Sequence, residues 1–280
     1  VLDPRRRYLE QLLELGETDL VLEREQGQEA ERQNGSQTAS PSVVASPQKT
    51  EADHTAAPVK VKPKAAGPVV PLPAGISVDA PGGGDDLFAA DPLRQCGTVD
   101  ALVPVIDACR KCQLGSSRLH SVPGEGDPRA GLVVVGEAPG TTEDETGRPF
   151  VGRAGQLLTE ILKAIGLARE EVFICNVLKC RPPLNRDPEP LEVAACSPYL
   201  HRQLELLGPR VILAMGRPAA HALLGSNASL NELRGRVHRY RGIPTIVTYH
   251  PAALLRNPHW KRPTWDDVRI ARRIYDGERV

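Results

Sequence analysis

Residues 131–158 read GLVVVGEAPGTTEDETGRPFVGRAGQLL. The run Gly131–Gly136 is apolar, β-branched and bounded by glycines, the pattern of a strand buried on both faces. A glycine-rich turn, Gly136–Gly140, follows at once, and Ala154–Ile165 then carries apolar residues at helical spacing. Strand, tight turn and helix in that order make one unit of an α/β sheet. The turn is not a Walker loop, because no Gly-Lys-Ser/Thr follows, and it is not GxGxxG. Its backbone N–H groups can still approach a ligand closely.

Three more β-rich runs lie downstream: Val172–Val177 (VFICNV), Val211–Met215 (VILAM) and Thr245–Tyr249 (TIVTY). Helical stretches separate or follow them at Glu189–Leu207, Arg217–Leu224 and Thr264–Tyr275. Continuous apolar strands alternating with helices predict a three-layer α/β/α domain with a central four-stranded parallel sheet. Ligands bind at the carboxyl ends of such strands. Gly136–Gly140 ends the first, Asn176–Arg181 the second and His250-Pro251 the fourth.

Upstream the character changes. Residues 1–26 predict an amphipathic helix striped by Leu9, Leu12, Leu13, Leu20 and Leu22. Residues 27–95 are rich in Ala, Ser, Pro, Gln and Lys, with Phe88 their only aromatic, and predict a disordered linker. The globular domain is expected over residues 96–280. Net charge is zero, but residues 1–94 carry 10 Lys and Arg against 15 Asp and Glu, and the remainder carries 25 against 20. A modestly basic domain is compatible with a phosphate backbone without demanding one. No apolar run approaches the length of a membrane span, and the N-terminal residues lack the apolar core of a signal peptide. The expectation is a cytoplasmic, monomeric protein, with the N-terminal helix free to engage a protein partner.

Six cysteines in such a chain favour metal binding over disulfides. Cys109-Arg-Lys-Cys112 is one pair, and Cys180 with Cys196 a wider one. Four thiolates suit tetrahedral zinc, the more common case, or a cubane iron–sulfur cluster, and spacing leaves both open. Cys175 sits inside an apolar strand and Cys96 in the linker, so neither is read as a ligand. Glu137, Glu143 and Asp144 place carboxylates at the glycine-rich turn, where they can orient water or merely cap a helix. Phe150 offers packing or a stacking platform. The Asn176 amide presents one acceptor and a donor pair, suited to a nucleobase edge or to a turn. A lone His250 would ordinarily be structural, but it shares a sheet edge with the glycine-rich turn.

GEAPG…ED…GRPFVGRAG, then NVLKCRPPLNR…C, then TYHPAALLR, resemble the family 4, thermophilic-type uracil-DNA glycosylases over about Cys109–Tyr275. That resemblance implies a [4Fe–4S] cluster on Cys109, Cys112, Cys180 and Cys196. It implies a uracil pocket formed by Gly136, Glu137, Ala138, Phe150, Asn176 and His250. DNA is the implied partner, single- or double-stranded. The enzyme would extrude deoxyuridine from the stack. Phe150 would stack on the base, Asn176 would accept from N3–H and donate to O4, and His250 would donate to O2 as the leaving uracil becomes an anion. Glu137 or Glu143 would position the attacking water. Arg181 and Arg186 on a proline-rich loop, and Leu254, Leu255 and Arg256 after the His-Pro turn, where the resemblance implies a loop that wedges into the duplex, are the expected DNA contacts; the alternative is that Leu254 and Leu255 start core helix packing.

Three rivals stand beside this reading. A covalently cross-linking uracil binder would carry an inserted basic loop with a reactive histidine, whereas His238 lies in a short GRVHRYRG segment. A non-catalytic nucleic-acid module would shift DNA in a gel and release nothing. A redox protein would show reversible reduction without uracil release.

Overall fold

The computed structural model of the protein describes residues 73–79 and 92–279. The helix expected over residues 1–26 and most of the linker expected over 27–95 lie outside the described residues. The strands are β1 (Ala74–Val78), β2 (Glu125–Gly126), β3 (Leu132–Gly136), β4 (Phe173–Asn176), β5 (Val211–Met215), β6 (Val237–Tyr240) and β7 (Ile243–Thr248). The helices are α1 (Pro92–Gln95), α2 (Val99–Asp107), α3 (Leu114–Ser117), α4 (Thr141–Thr146), α5 (Arg153–Ala164), α6 (Pro190–Leu207), α7 (Arg217–Leu224), α8 (Leu230–Leu233), α9 (Pro251–Arg256) and α10 (Lys261–Tyr275). None of the described helices is long and apolar enough to cross a membrane.

Every residue of β3 and β5 is buried, as strands covered on both faces require. Successive side chains alternate between two cores. Val133, Val135, Ile212 and Ala214 face one, with Leu102, Ile106, Leu200 and Leu204 from α2 and α6. Leu132, Val134, Leu213 and Met215 face the other, with Leu158, Leu162, Val268 and Ala271 from α5 and α10. The result is the expected α/β/α layering. Each fully buried aliphatic side chain contributes about 1.5–3 kcal/mol.

The sheet is wider than expected. Seven strands run in the order β1-β6-β7-β5-β3-β4-β2. The four strands read from the sequence are its centre, β7-β5-β3-β4, and all three of their pairings are parallel. The flanks make it mixed, because β6 and β2 join antiparallel. β1 lies within the stretch expected to be linker. It pairs with β6 through its backbone, and only Ile76 and Val78 are partly covered, so its composition carries little strand signal. The globular unit also begins before residue 96, since Leu93 of α1 is buried in the core.

The chain leaves β3 toward β4 on one side and β5 toward β7 on the other. That reversal places a topological switch point between β3 and β5, where open α/β sheets form their ligand crevice.

Candidate active site

A cleft of about 370 Å³ opens at this edge. Glu137, Ala138, Glu143, Phe150, Asn176 and His250 all line it. Residues more than a hundred positions apart converge because each directly follows or ends a parallel strand, or belongs to the loop between β3 and α5.

Asn176 ends β4 opposite Gly136 of β3. The side chain is buried, and its Oδ1 has no hydrogen-bond partner. An unpaired buried acceptor costs about 1–3 kcal/mol, so it marks a place where a ligand donor belongs. Gly136 makes the space. A Cβ there would collide with Asn176 Oδ1 and with the Phe150 ring.

Phe150 holds a left-handed backbone, φ 51°, which a bulky residue rarely adopts. Two features hold it. Arg169 donates to its carbonyl at 2.9 Å, and Gly155 lies so close that a Cβ there would overlap that carbonyl. The ring centroid is 5.4 Å from that of His250.

His250 caps α9. Its Nδ1 accepts from Ala252 N–H at 3.2 Å, so the neutral ring carries its proton on Nε2. Burial first, and Arg256 second, push the imidazole down to about 4, against a small opposing effect of Glu143. At neutral pH it is an uncharged donor on the cleft wall.

The two carboxylates part company. Glu143 accepts from Val151 N–H and Gly152 N–H at 2.9 Å each and from Gly140 N–H at 3.2 Å. It ties the loop to α4. Glu137 has no side-chain hydrogen bond among the described residues, and burial, with Asp187 adding to it, pushes it up to about 7 against the pull of Arg217. Asp144, also buried, accepts from Leu119 N–H at 3.0 Å and serves the loop.

Arg186 and Arg256 reach the cleft rim. Arg186 is held by Glu192 through bonds of 2.9 and 2.6 Å, and Arg181 donates to Asn185 at 2.8 Å beside it. Leu254 corrects the sequence reading. It is 1% exposed and packs in the α5 core, so it is no DNA wedge; Leu255, at 42%, is the leucine of α9 that faces water. His238 is structural: Nδ1 accepts from Ile76 N–H at 2.8 Å, and Nε2 donates to Leu233 O at 2.7 Å. Both ring nitrogens are occupied in β6, which removes the residue the cross-linking rival would need.

Cys109, Cys112, Cys180 and Cys196 line a second, smaller cavity between α2, α3 and α6. All four are free thiols. No compact His, Cys, Asp or Glu group ready for an ion occurs among the described residues; these cysteines are spread around a cavity wall. Arg118 donates to Cys180 Sγ at 2.9 Å and Lys179 N–H to Cys196 Sγ at 3.2 Å. Such donors stabilise thiolates. Burial pushes the Cys196 thiol up to about 12, against the pull of Lys179, and raises Cys180 also. Two of the four sulfurs thus have N–H donors behind them, as ligands of an anionic cluster would.

Residues 123–270 match the model of the uracil DNA glycosylase superfamily. A type-4 uracil-DNA glycosylase of Sulfurisphaera tokodaii is 48% identical over 176 residues, covering 60% of this chain and 80% of that protein. One from Archaeoglobus fulgidus is 45% identical over 180 residues, covering 61% and 90%. A type-5 uracil-DNA glycosylase of Thermus thermophilus is 30% identical over 208 residues, covering 63% and 93%.

Proposed function

The chain belongs to the uracil-DNA glycosylase superfamily, as a type-4 uracil-DNA glycosylase that excises uracil from DNA, and we propose that it does so in the cleft between the ends of β3, β4 and β7. One observation carries the assignment. The orphaned Oδ1 of Asn176 and the Nε2–H of His250 are an acceptor and a donor on the same base-sized cleft.

Uracil is extruded from the duplex into the cleft. Asn176 Oδ1 accepts from N3–H, and its amide N–H donates to O4. Cytosine has no proton on N3 and a donor where uracil has O4, so the same amide leaves both contacts unmade. Phe150 stacks on the ring. As the glycosidic bond breaks, negative charge gathers on uracil O2, and His250 Nε2–H donates to it. The uncharged imidazole is fixed in this tautomer by Ala252 N–H, so no proton need be gained first. Water adds to the cation-like sugar. Glu137 positions it, since Glu143 spends both oxygens on backbone N–H groups.

This division predicts a pH dependence. Glu137 orients water as a carboxylate, and its proton leaves near pH 7. The rate therefore rises as pH rises through about 7 and levels above it. Glu137→Gln removes that inflection and lowers the plateau by about tenfold, because the amide still offers the water an oxygen but without the carboxylate's charge. Rate–pH profiles of the two proteins check this. An inflection surviving in the variant assigns it elsewhere.

Cys109, Cys112, Cys180 and Cys196 would hold a [4Fe–4S] cluster, which when bound cross-links α2, α3, the segment after β4 and α6. Cys180 lies four residues beyond Asn176, so this site braces the segment leaving the uracil-reading strand. Iron and acid-labile sulfide should be found in the isolated protein, with brown colour. Cys180→Ala should lose the colour and unfold at lower temperature. A colourless, iron-free native protein with full activity would contradict the cluster.

A further inference from the structure

Between the uracil cleft and the cysteine cavity lies Lys179, the residue before Cys180 and three after Asn176. It is 1% exposed, among the largest fully buried side chains of the described residues. A lysine is almost never so deep without a carboxylate beside it. Here both partners are neutral. Nζ donates to Asn176 O at 2.7 Å and to Gln203 Oε1 at 2.6 Å, and no ion pair reaches it among the described residues. Gln203 of α6, equally buried, is fixed in turn by donating to Pro123 O at 2.8 Å. The ammonium is held firmly in the interior, with hydrogen bonds but no counter-charge, an arrangement that is costly until an anion arrives.

The missing negative charge has a place. The wall of the cysteine cavity carries Lys111, Arg118 and Lys179 beside Cys109, Cys112, Cys180 and Cys196, and no Asp or Glu. The Lys179 N–H donates to Cys196 Sγ at 3.2 Å, while its Nζ binds the end of β4. Its charge acts on the sulfurs nearby. Burial raises the thiols of Cys175 and Cys196, and at both Lys179 is the foremost group pulling the other way. Four thiolates outweigh the positive charge of a [4Fe–4S] core, so the group these cysteines would hold is anionic.

We propose that Lys179 is the internal counter-ion of the cysteine-held cluster, offsetting its negative charge from within the core and, through the bond to Asn176 O, tying that site to the base-reading end of β4. This rests on the reading of the four cysteines as cluster ligands. A fixed cation beside an anionic cluster favours its retention. It also favours the more reduced state, in which the negative charge is larger, and so raises the reduction potential. Lys179 does not line the uracil cleft and is a positioning residue.

The test compares the native protein, isolated with its iron, with Lys179→Gln, Lys179→Met and Gln203→Met. Lys179→Gln removes the charge and keeps an N–H for Asn176 O. Lys179→Met fills the same space should the shorter amide fail to fold. Gln203→Met loosens the same contact but leaves the charge in place. Two readouts stand beside uracil release: the rate at which a chelator withdraws iron, and the midpoint potential of the cluster by voltammetry. Both Lys179 variants should give up iron about tenfold faster and show a more negative potential, whereas Gln203→Met keeps the native potential. A folded Lys179 variant that takes up no iron is the same result at its limit. Native iron release and a native potential in a Lys179 variant would overturn the proposal, leaving Lys179 a hydrogen-bonding brace of β4. So would a shift in Gln203→Met as large as that in the Lys179 variants. Failure of the underlying reading looks different: the native protein itself would then hold no iron.

Discussion

His250→Ala lowers the rate of uracil release at saturating substrate by about two to three orders of magnitude and changes KM little. The asymmetry follows from where the charge develops. Neutral uracil gains only an ordinary hydrogen bond from Nε2–H, whereas the departing uracil anion gains a charge-assisted one. The ring is pre-set for this. Ala252 N–H occupies Nδ1, Phe150 stands 5.4 Å away, and burial keeps the imidazole neutral down to about pH 4. The native rate should accordingly show no inflection from the His250 imidazole near neutral pH. Its inflection should be the one near 7 that Glu137→Gln abolishes and His250→Ala retains. Single-turnover kinetics across pH measure both. A His250→Ala loss expressed wholly in KM would make the residue a binding group rather than a stabiliser of the leaving anion.

Asn176→Ala lowers kcat/KM by about a hundredfold, the equivalent of about 2.7 kcal/mol, while the folded protein loses only about 1 kcal/mol of stability. Most buried polar side chains behave in the opposite way, since their removal breaks a bond within the fold. Asn176 Oδ1 makes none in the free protein. The fold thus carries an unsatisfied acceptor whose partner arrives with the substrate, and deleting it harms recognition more than stability. Thermal unfolding beside kinetics separates the two effects. A stability loss of several kcal/mol would show instead that Asn176 holds the β4 end in place. In that case the selectivity against cytosine must come from another group.

The sheet's centre was legible because buried parallel strands leave continuous apolar runs, and β3, β4, β5 and β7 each do so. Its edges were not. β2 is two residues long, and β1 pairs through backbone groups that carry no side-chain signature. The cleft residues were legible because polar groups such as Asn176 and His250 interrupt or end apolar strands. The roles of Glu137 and Glu143 were not, since six positions apart in one turn they are chemically identical until backbone N–H groups claim the second. Leu254 and Leu255 show the same limit. Neighbours on a helix point about 100° apart, so which one meets the core depends on the axis of α9, which packing on α5 decides.

Whether this cleft is where uracil is cut from DNA is measured most directly with a labelled oligonucleotide carrying one uracil. It is incubated with native protein, His250→Ala or Asn176→Ala, then treated with alkali to break abasic sites. The predicted result is cleavage at the uracil by native protein, none on a uracil-free control, and losses of about a hundredfold or more in both variants. Two folded variants that still cleave at the native rate would contradict it, placing the chemistry outside the cleft between β3, β4 and β7.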